Sequence, residues 1–336
     1  MLDLLLFTIL YITILVLIIF LSKKLEFYDN PNQRKVHKHK IPNTAGVALY
    51  IYLALIVTAN ELSYEIENII VVGSAVVITG FLDDRINLTP GMKLILIFMP
   101  ASYLIFNGYV IQNLGTYEFI NKIELNKFGI IFTFLSVGLL INSYNYIDGI
   151  DGLLSGITII GIIYLIFLEN NEQVIKLLTL IIIPLIINLI FNFFPGTSYF
   201  KIFTGDSGSL FIGFLMSFLI IFLFKSSSIH PAFLIWTCWY PVYDFLYVTL
   251  YRIVKGNKFY AADKIHFHHI VFEKMQNSHV NTFLVISIVN VSIIICGYLI
   301  ANVGKIYSLF CFFLLFIFFS LIRNKLGSKL SFKKKL

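Results

Sequence analysis

The chain has 336 residues, of which 58% are hydrophobic and 13% charged, with a mean hydropathy of +0.87. A soluble domain carries about 25% charged residues, so this composition excludes an ordinary soluble fold and indicates a polytopic membrane protein. The formal charge of +7 then reports on topology, through Lys and Arg concentrated on one side of a lipid bilayer, and no nucleic-acid partner is expected.

Apolar runs close to the ~20 residues needed to cross a bilayer recur at approximately 3–22, 45–60, 67–82, 91–109, 128–146, 153–169, 176–194, 208–225, 231–250, 281–301 and 306–322. They predict an all-α fold of about 11 transmembrane helices in a single domain, 1–336. The first run, Leu4 to Leu21, has no basic residues before it and no small-residue cleavage site, so it is expected to be a retained helix. Segment 110–127 has the alternation of a short hairpin. Cys238, Cys296 and Cys311 sit in apolar runs without metal-ligand spacing and are read as packing residues. An odd number of spans puts the termini on opposite sides. With the N-terminus periplasmic and the C-terminus cytoplasmic, 20 of the 25 basic residues fall inside, as the positive-inside rule requires. The same topology puts every unusual polar motif at the cytoplasmic edge.

Five motifs occupy that edge. Arg34-Lys35-Val36-His37-Lys38-His39-Lys40 fills the first inner loop, as topological charge or a phosphate site. Asp83-Asp84-Arg85 closes the third run. Adjacent carboxylates raise one another's pKa unless a cation compensates; alone, such a pair is often a solvated helix stop. Asn142, Asn145, Asp148 and Asp151 step by three between two apolar runs, with Gly149 and Gly152 after the two acids. On a continuous helix the four side chains would spiral round the axis, while the glycines suggest a turn where a ligand approaches closely. A frayed polar helix end explains all four poorly, because ionisable groups beside hydrocarbon are costly.

Asp206, in Gly205-Asp206-Ser207-Gly208-Ser209, precedes the eighth run. It is either a hard-cation ligand or an N-cap, and the Ser207 and Ser209 hydroxyls are candidates to receive phosphate oxygens. Finally, the loop from Arg252 ends in His266-Phe267-His268-His269, a cluster able to bind metal or donate to an anion. Asp244 lies inside the ninth run, where a pairing with Arg252, eight residues on, or a contact with the following loop is open, and it has no firm role. If Asp83, Asp84, Asp148, Asp151 and Asp206 converge, an anionic substrate enters only with a divalent cation and basic side chains. That balance fits metal-assisted phosphoryl transfer to a substrate delivered from the membrane.

At this point the chain resembles the polyprenyl-phosphate N-acetylhexosamine-1-phosphate transferases of bacterial membranes. The matching pieces, in family order, are Pro31-Asn32 through His37 and Pro42, Asp83-Asp84, Asn142 to Gly152, Gly205 to Ser209, and His266 to His269. The resemblance implies Mg2+-dependent transfer of a sugar 1-phosphate from a UDP-N-acetylhexosamine to undecaprenyl phosphate, with Mn2+ as an acceptable substitute. UMP is released, and a cell-surface glycan such as O-antigen, enterobacterial antigen or teichoic acid is begun. It implies a multi-pass protein of the bacterial inner membrane, a cytoplasmic cleft open to the bilayer, and room for a homodimer.

By match of motif, Asp83 would deprotonate or orient the lipid phosphate and Asp84 would support it. Asp206 and Asp148 would hold the metal. Asn142, Asn145, Asp148 and Asp151 would position the nucleotide and diphosphate. His266, His268, His269 and Arg252 would bind the sugar nucleotide, and Lys35 a phosphate. Direct displacement is favoured over a two-step path through an aspartyl phosphate on Asp84 or Asp148. A CDP-alcohol phosphotransferase also places Asp-Gly pairs at a membrane face, but its Ala-Arg after the first pair is missing. A transporter would carry its polar groups near the midplane.

Overall fold

The computed structural model describes residues 2–31, 39–60, 64–258 and 265–333. Eight of the apolar runs become α1 (Leu2–Lys24), α2 (Ala45–Ala59), α3 (Tyr64–Ile86), α4 (Pro90–Phe106), α5 (Phe128–Ile147), α6 (Leu153–Leu168), α7 (Glu172–Asn192) and α8 (Gly205–Ser226). The last two become α12 (His279–Val303) and α13 (Lys305–Lys333), after the short α11 (Phe267–Lys274).

The ninth run, expected as one span over 231–250, is broken. Pro231 opens the four-residue α9 (Pro231–Leu234), a 3-10 turn covers Ile235–Cys238, and α10 (Trp239–Val254) follows. Pro241 supplies a reason. It has no N–H to give a helix interior but is tolerated in a first turn, and the restart at Trp239 puts it there.

Among the described residues, seven helices are long and apolar enough to cross a membrane: α1, α3, α5, α7, α8, α12 and α13. The shorter apolar helices are α2, α4 and α6. At 1.5 Å per residue, the 15 residues of α2 cover about 22 Å, less than the ~30 Å hydrocarbon core. The expectation of about 11 transmembrane helices is met in its all-α, multi-pass character, with seven helices of full spanning length and three shorter apolar ones among the described residues. Hydropathy counts apolar residues and does not see whether they lie on one unbroken helix. The protein is a multi-pass membrane protein, as its composition required.

α8 is the central post, with 89% of its apolar stretch buried, whereas the corresponding figures for α1, α12 and α13 are 17%, 22% and 11%. The outer helices present apolar side chains such as Phe310, Phe313 and Ile317 outward, where lipid takes the place of water. Small residues let the backbones around α8 touch, the usual packing solution when lipid removes the hydrophobic drive between helices. A Cβ on Gly46 of α2 would lie 2.1 Å from Gly208 N, and one on Gly80 of α3 would lie 2.3 Å from the Asp206 carbonyl oxygen. Gly213 meets Ile141 of α5 in the same way, at 2.6 Å from its Cα. The first two contacts lie in the opening turn of α8, beside Asp206.

Two small antiparallel sheets mark the two ends of the bundle. β1 (Tyr28–Asp29) pairs with β2 (Ile41–Pro42) at the end carrying Asp206. The hairpin expected over 110–127 is present at the other end as β3 (Asn113–Tyr117) and β4 (Asn121–Glu124). Beyond β3, the Glu118 carboxylate accepts from Lys305 N at 2.9 Å and Ile306 N at 3.1 Å, satisfying open donors at the start of α13.

Candidate active site

The end of the bundle at the start of α8 holds a cleft of about 430 Å3 lined by acids from four segments. Asp83 and Asp84 come from the last turns of α3, and Asp148 and Asp151 from the turn between α5 and α6. Asp206 comes from the first turn of α8, and Asp29 from β1.

Local chemistry explains each placement. α3 ends at Ile86, and Asn87 takes a left-handed φ of 49°, a conformation asparagine tolerates. The chain thus turns back, and Leu88 N donates to Asp83 Oδ1 at 2.8 Å. Thr89 and Pro90 then start α4, with the Thr89 hydroxyl accepting from Met92 N, and this brings Lys93 over the acids. Lys93 Nζ lies 2.6 Å from Asp83 Oδ2 and 3.2 Å from Asp206 Oδ2.

α5 ends at Ile147, with Asp148 as its C-cap. The expected helical spiral of four polar residues therefore stops after Asn145. Gly152, with φ of +77°, opens α6, so the turn reading is the correct one. The turn brings Asp148 and Asp151 to the same cleft, which a continuous helix would not do. Asn145 remains helical and donates through Nδ2 to Asp206 Oδ1 and to Ser209 Oγ, both at 2.8 Å. Asn142, three residues earlier, donates to Gly138 O at 2.7 Å within its own helix and is not in the cleft lining.

α8 begins at Gly205, whose φ of +71° and close approach to Asn43 O leave no room for a side chain. Asp206 is thus inside the first turn of α8 and not before it. Its N–H donates to Asp84 Oδ2 at 3.0 Å, so the Asp84 carboxyl takes up an open backbone donor in the first turn of α8. Ser207 and Ser209 are both fully buried, which corrects the expectation that either hydroxyl receives a phosphate.

On the α6 side, Lys201 Nζ lies 2.5 Å from Asp151 Oδ2 and 2.7 Å from Asn192 O. The Asp151 N–H donates to His279 Nδ1 at 3.0 Å, so a neutral His279 carries its proton on Nε2. Lys93, Lys201 and His279 are site residues that motif reading did not select. Their only sequence signal was that each is a basic residue within a few positions of an apolar boundary.

Asp148 is open to water on one side and enclosed by protein on the others. Desolvation, followed by the charges of Asp206, Asp151 and Asp29, pushes its carboxyl up to about 8. The histidine cluster divides. His269 lines the cleft, and a Cβ on Gly149 would lie 3.2 Å from its Cε1. His268 is fully buried between its two neighbours, and desolvation, followed by the Coulomb interaction with His269 and His266, holds it well below the usual imidazole range. His266 is buried against Tyr146. Arg252 is also buried, 5.8 Å from the Tyr146 ring, and is not in the cleft lining. Lys35 and His37 lie outside the described residues.

Among the described residues, no group of three or more Asp, Glu, His or Cys side chains is arranged to enclose a metal ion. The donor set still matches Mg2+ in kind. That ion takes one or two carboxylates and fills its remaining positions with water and substrate phosphate, and Asp206 and Asp148 line the same cleft.

The model of the family described as "Glycosyl transferase family 4" matches residues 67–224. That stretch runs from α3 through α8 and contains Asp83, Asp84, Lys93, Asp148 and Asp206. A Bacillus subtilis (strain 168) protein named as a probable undecaprenyl-phosphate N-acetylglucosaminyl 1-phosphate transferase is 30% identical over 314 residues, 90% of this chain and 86% of its own length. Undecaprenyl-phosphate alpha-N-acetylglucosaminyl 1-phosphate transferases from Yersinia pestis and Escherichia coli (strain K12) are 25% and 26% identical, each covering 74% of this chain and 70% of their own length. An acid-lined cleft at one end of an apolar bundle and a match along nearly the whole chain lead to one conclusion: the chain belongs to glycosyl transferase family 4.

Proposed function

We propose that this enzyme transfers an N-acetylhexosamine 1-phosphate from a UDP-sugar to undecaprenyl phosphate, releasing UMP, as the first step of a cell-surface glycan. The observation that carries this reading is the convergence of Asp83, Asp84, Asp148 and Asp206 with Lys93 in one cleft at the edge of a membrane bundle. The names of the relatives supply both the lipid acceptor and the sugar phosphate. The excess of basic residues at the same end supports a cytoplasmic-side cleft, within reach of nucleotide sugars, and so a location in the bacterial inner membrane.

The chemistry is a displacement at phosphorus. An oxygen of the lipid phosphate attacks the β-phosphorus of the UDP-sugar. The bond from that phosphorus to the bridging oxygen breaks, and UMP leaves with the oxygen. Mg2+, held by Asp206 and Asp148, would neutralise diphosphate charge during that step. Asp83 orients the lipid phosphate and accepts any proton it carries. Lys93 joins Asp83 to Asp206 and offsets the negative charge the two substrates bring together. Asp151, fixed by Lys201, and His269 form the wall that faces the donor.

The test is a membrane assay with undecaprenyl phosphate and a panel of labelled UDP-sugars, with and without Mg2+. Lipid-linked sugar phosphate forms from at least one donor; its absence with every donor overturns the assignment. Exchange of UMP into UDP-sugar without lipid acceptor would establish a covalent enzyme intermediate, and its absence supports direct displacement.

A further inference from the structure

Asp244 is the one fully buried carboxylate of α10, and the cleft chemistry above does not use it. Both of its oxygens are engaged by the histidine segment. Oδ2 is 2.7 Å from His266 Nδ1, and Oδ1 accepts from Phe267 N, also at 2.7 Å. A carboxylate can only accept, so the His266 proton sits on Nδ1. The second bond takes up a backbone donor at the start of α11, where no helical carbonyl is available.

The two bonds together set both the position and the rotation of α11. His266 stacks on His268 with ring planes 14° apart, and His268 meets His269 at a centroid distance of 4.3 Å. His269 forms the cleft wall beside Gly149. On the far side of the segment, Arg323 of α13 donates to the Ile265 carbonyl and stacks 4.0 Å over Tyr247 of α10. The segment is thus held by α10 through Asp244 and by α13 through Arg323.

We propose that Asp244 is a positioning residue for the donor half of the reaction: its carboxylate locks the His266 tautomer and the first turn of α11, and so holds His269 against the nucleotide sugar. The inference rests on the transferase reading. A buried acid in a membrane helix marks a functional site and calls for a partner, and here both partners belong to the motif that faces the donor. Removing the carboxylate support of a metal-ligating histidine commonly costs about ten- to a hundred-fold in function, and a loss on that scale is expected for this carboxylate–histidine pair.

Steady-state kinetics on the purified, detergent-solubilised full chain test this, with 15N spectra of labelled histidines assigned through His266→Gln. Asp244→Ala is expected to raise the KM for UDP-sugar at least about tenfold while the KM for undecaprenyl phosphate stays within about threefold. Asp244→Asn keeps one acceptor for Phe267 N and turns an amide donor toward His266. It should move the His266 proton from Nδ1 to Nε2 and show the same donor-side loss. Asp244→Glu restores two acceptors and should recover part of the affinity.

Equal changes in both KM values, or an unchanged His266 tautomer in Asp244→Asn, overturn the proposal. If the wild-type chain forms no lipid product, the transferase reading fails, and the tautomer measurement still decides whether Asp244 governs His266.

Discussion

Lys93 Nζ stands 2.6 Å from Asp83 Oδ2, ten residues on from it and across the turn between α3 and α4. The same ammonium reaches Asp206 Oδ2 on α8 at 3.2 Å, so one cation ties together two acids that would otherwise repel. Lys93→Ala should lower turnover by about 10²- to 10³-fold, the usual effect of removing one group that stabilises developing charge. Lys93→Arg should restore only part of it, because a planar fork does not replace a point charge between two carboxylates. Initial rates of lipid-linked sugar formation check this.

Asp206 is tied by Asn145, Lys93 and, through its own N–H, Asp84. Asp206→Asn preserves the shape and removes the charge, so turnover should fall by at least about 10²-fold and the optimum Mg2+ concentration should rise. Chelation of divalent ions should abolish wild-type activity reversibly. Activity that persists in Asp206→Ala would remove Asp206 from the metal site.

Gly80 has no room for a side chain, because its Cβ would meet Asp206 backbone atoms at 2.3–2.4 Å. Backbone cannot swing aside, so Gly80→Ala should cost about 1–3 kcal/mol by overpacking and push the first turn of α8 away from Asp84. A lower melting temperature in detergent and a larger fractional loss of activity than of folded protein are the expected pair of results. Gly91→Ala, at a position with nothing within 4 Å, serves as the control.

Asp148 carries a pKa raised to about 8, against about 3.9 in the unfolded chain. The folded state therefore binds the extra proton between these values, so this group's stabilising contribution is full below about pH 4 and is lost as pH rises through 8. Asp148→Asn removes the titration and should flatten the decline of the metal-free melting temperature over that window. A wild-type decline that the variant reproduces in full would show that the slope comes from other groups.

Much of the fold could be read from apolar run length, because a bilayer demands long helices and tolerates few charges within them. α1, α3, α5, α7, α8, α12 and α13 appear where hydropathy puts them. The run over 231–250 could not be read as broken, since the consequence of Pro241 depends on where α10 restarts. The acids of the site were legible for the same reason in reverse: they stand out against apolar flanks. Lys93, Lys201 and His279 were not, because a basic residue at a helix boundary has the same sequence appearance whether it faces water, lipid headgroups or an acid three helices away.

Sequence alone established that the chain lives in a membrane and carries a set of acids at one edge, since hydrophobic run length and the cost of unpaired charge near hydrocarbon are both local properties. Tertiary structure decided which acids meet and what holds them. The glycine contacts at Gly46, Gly80 and Gly213 bring α2, α3 and α5 against α8 closely enough for Asp84 to reach Asp206 N and Asn145 to reach its carboxylate. It also decided that Asp244 serves the histidine segment and that Arg252 and Asn142 stand back from the cleft. Pairings between residues more than a hundred positions apart, such as Asp84 with Asp206, are set by helix packing, and no local pattern in the chain encodes them.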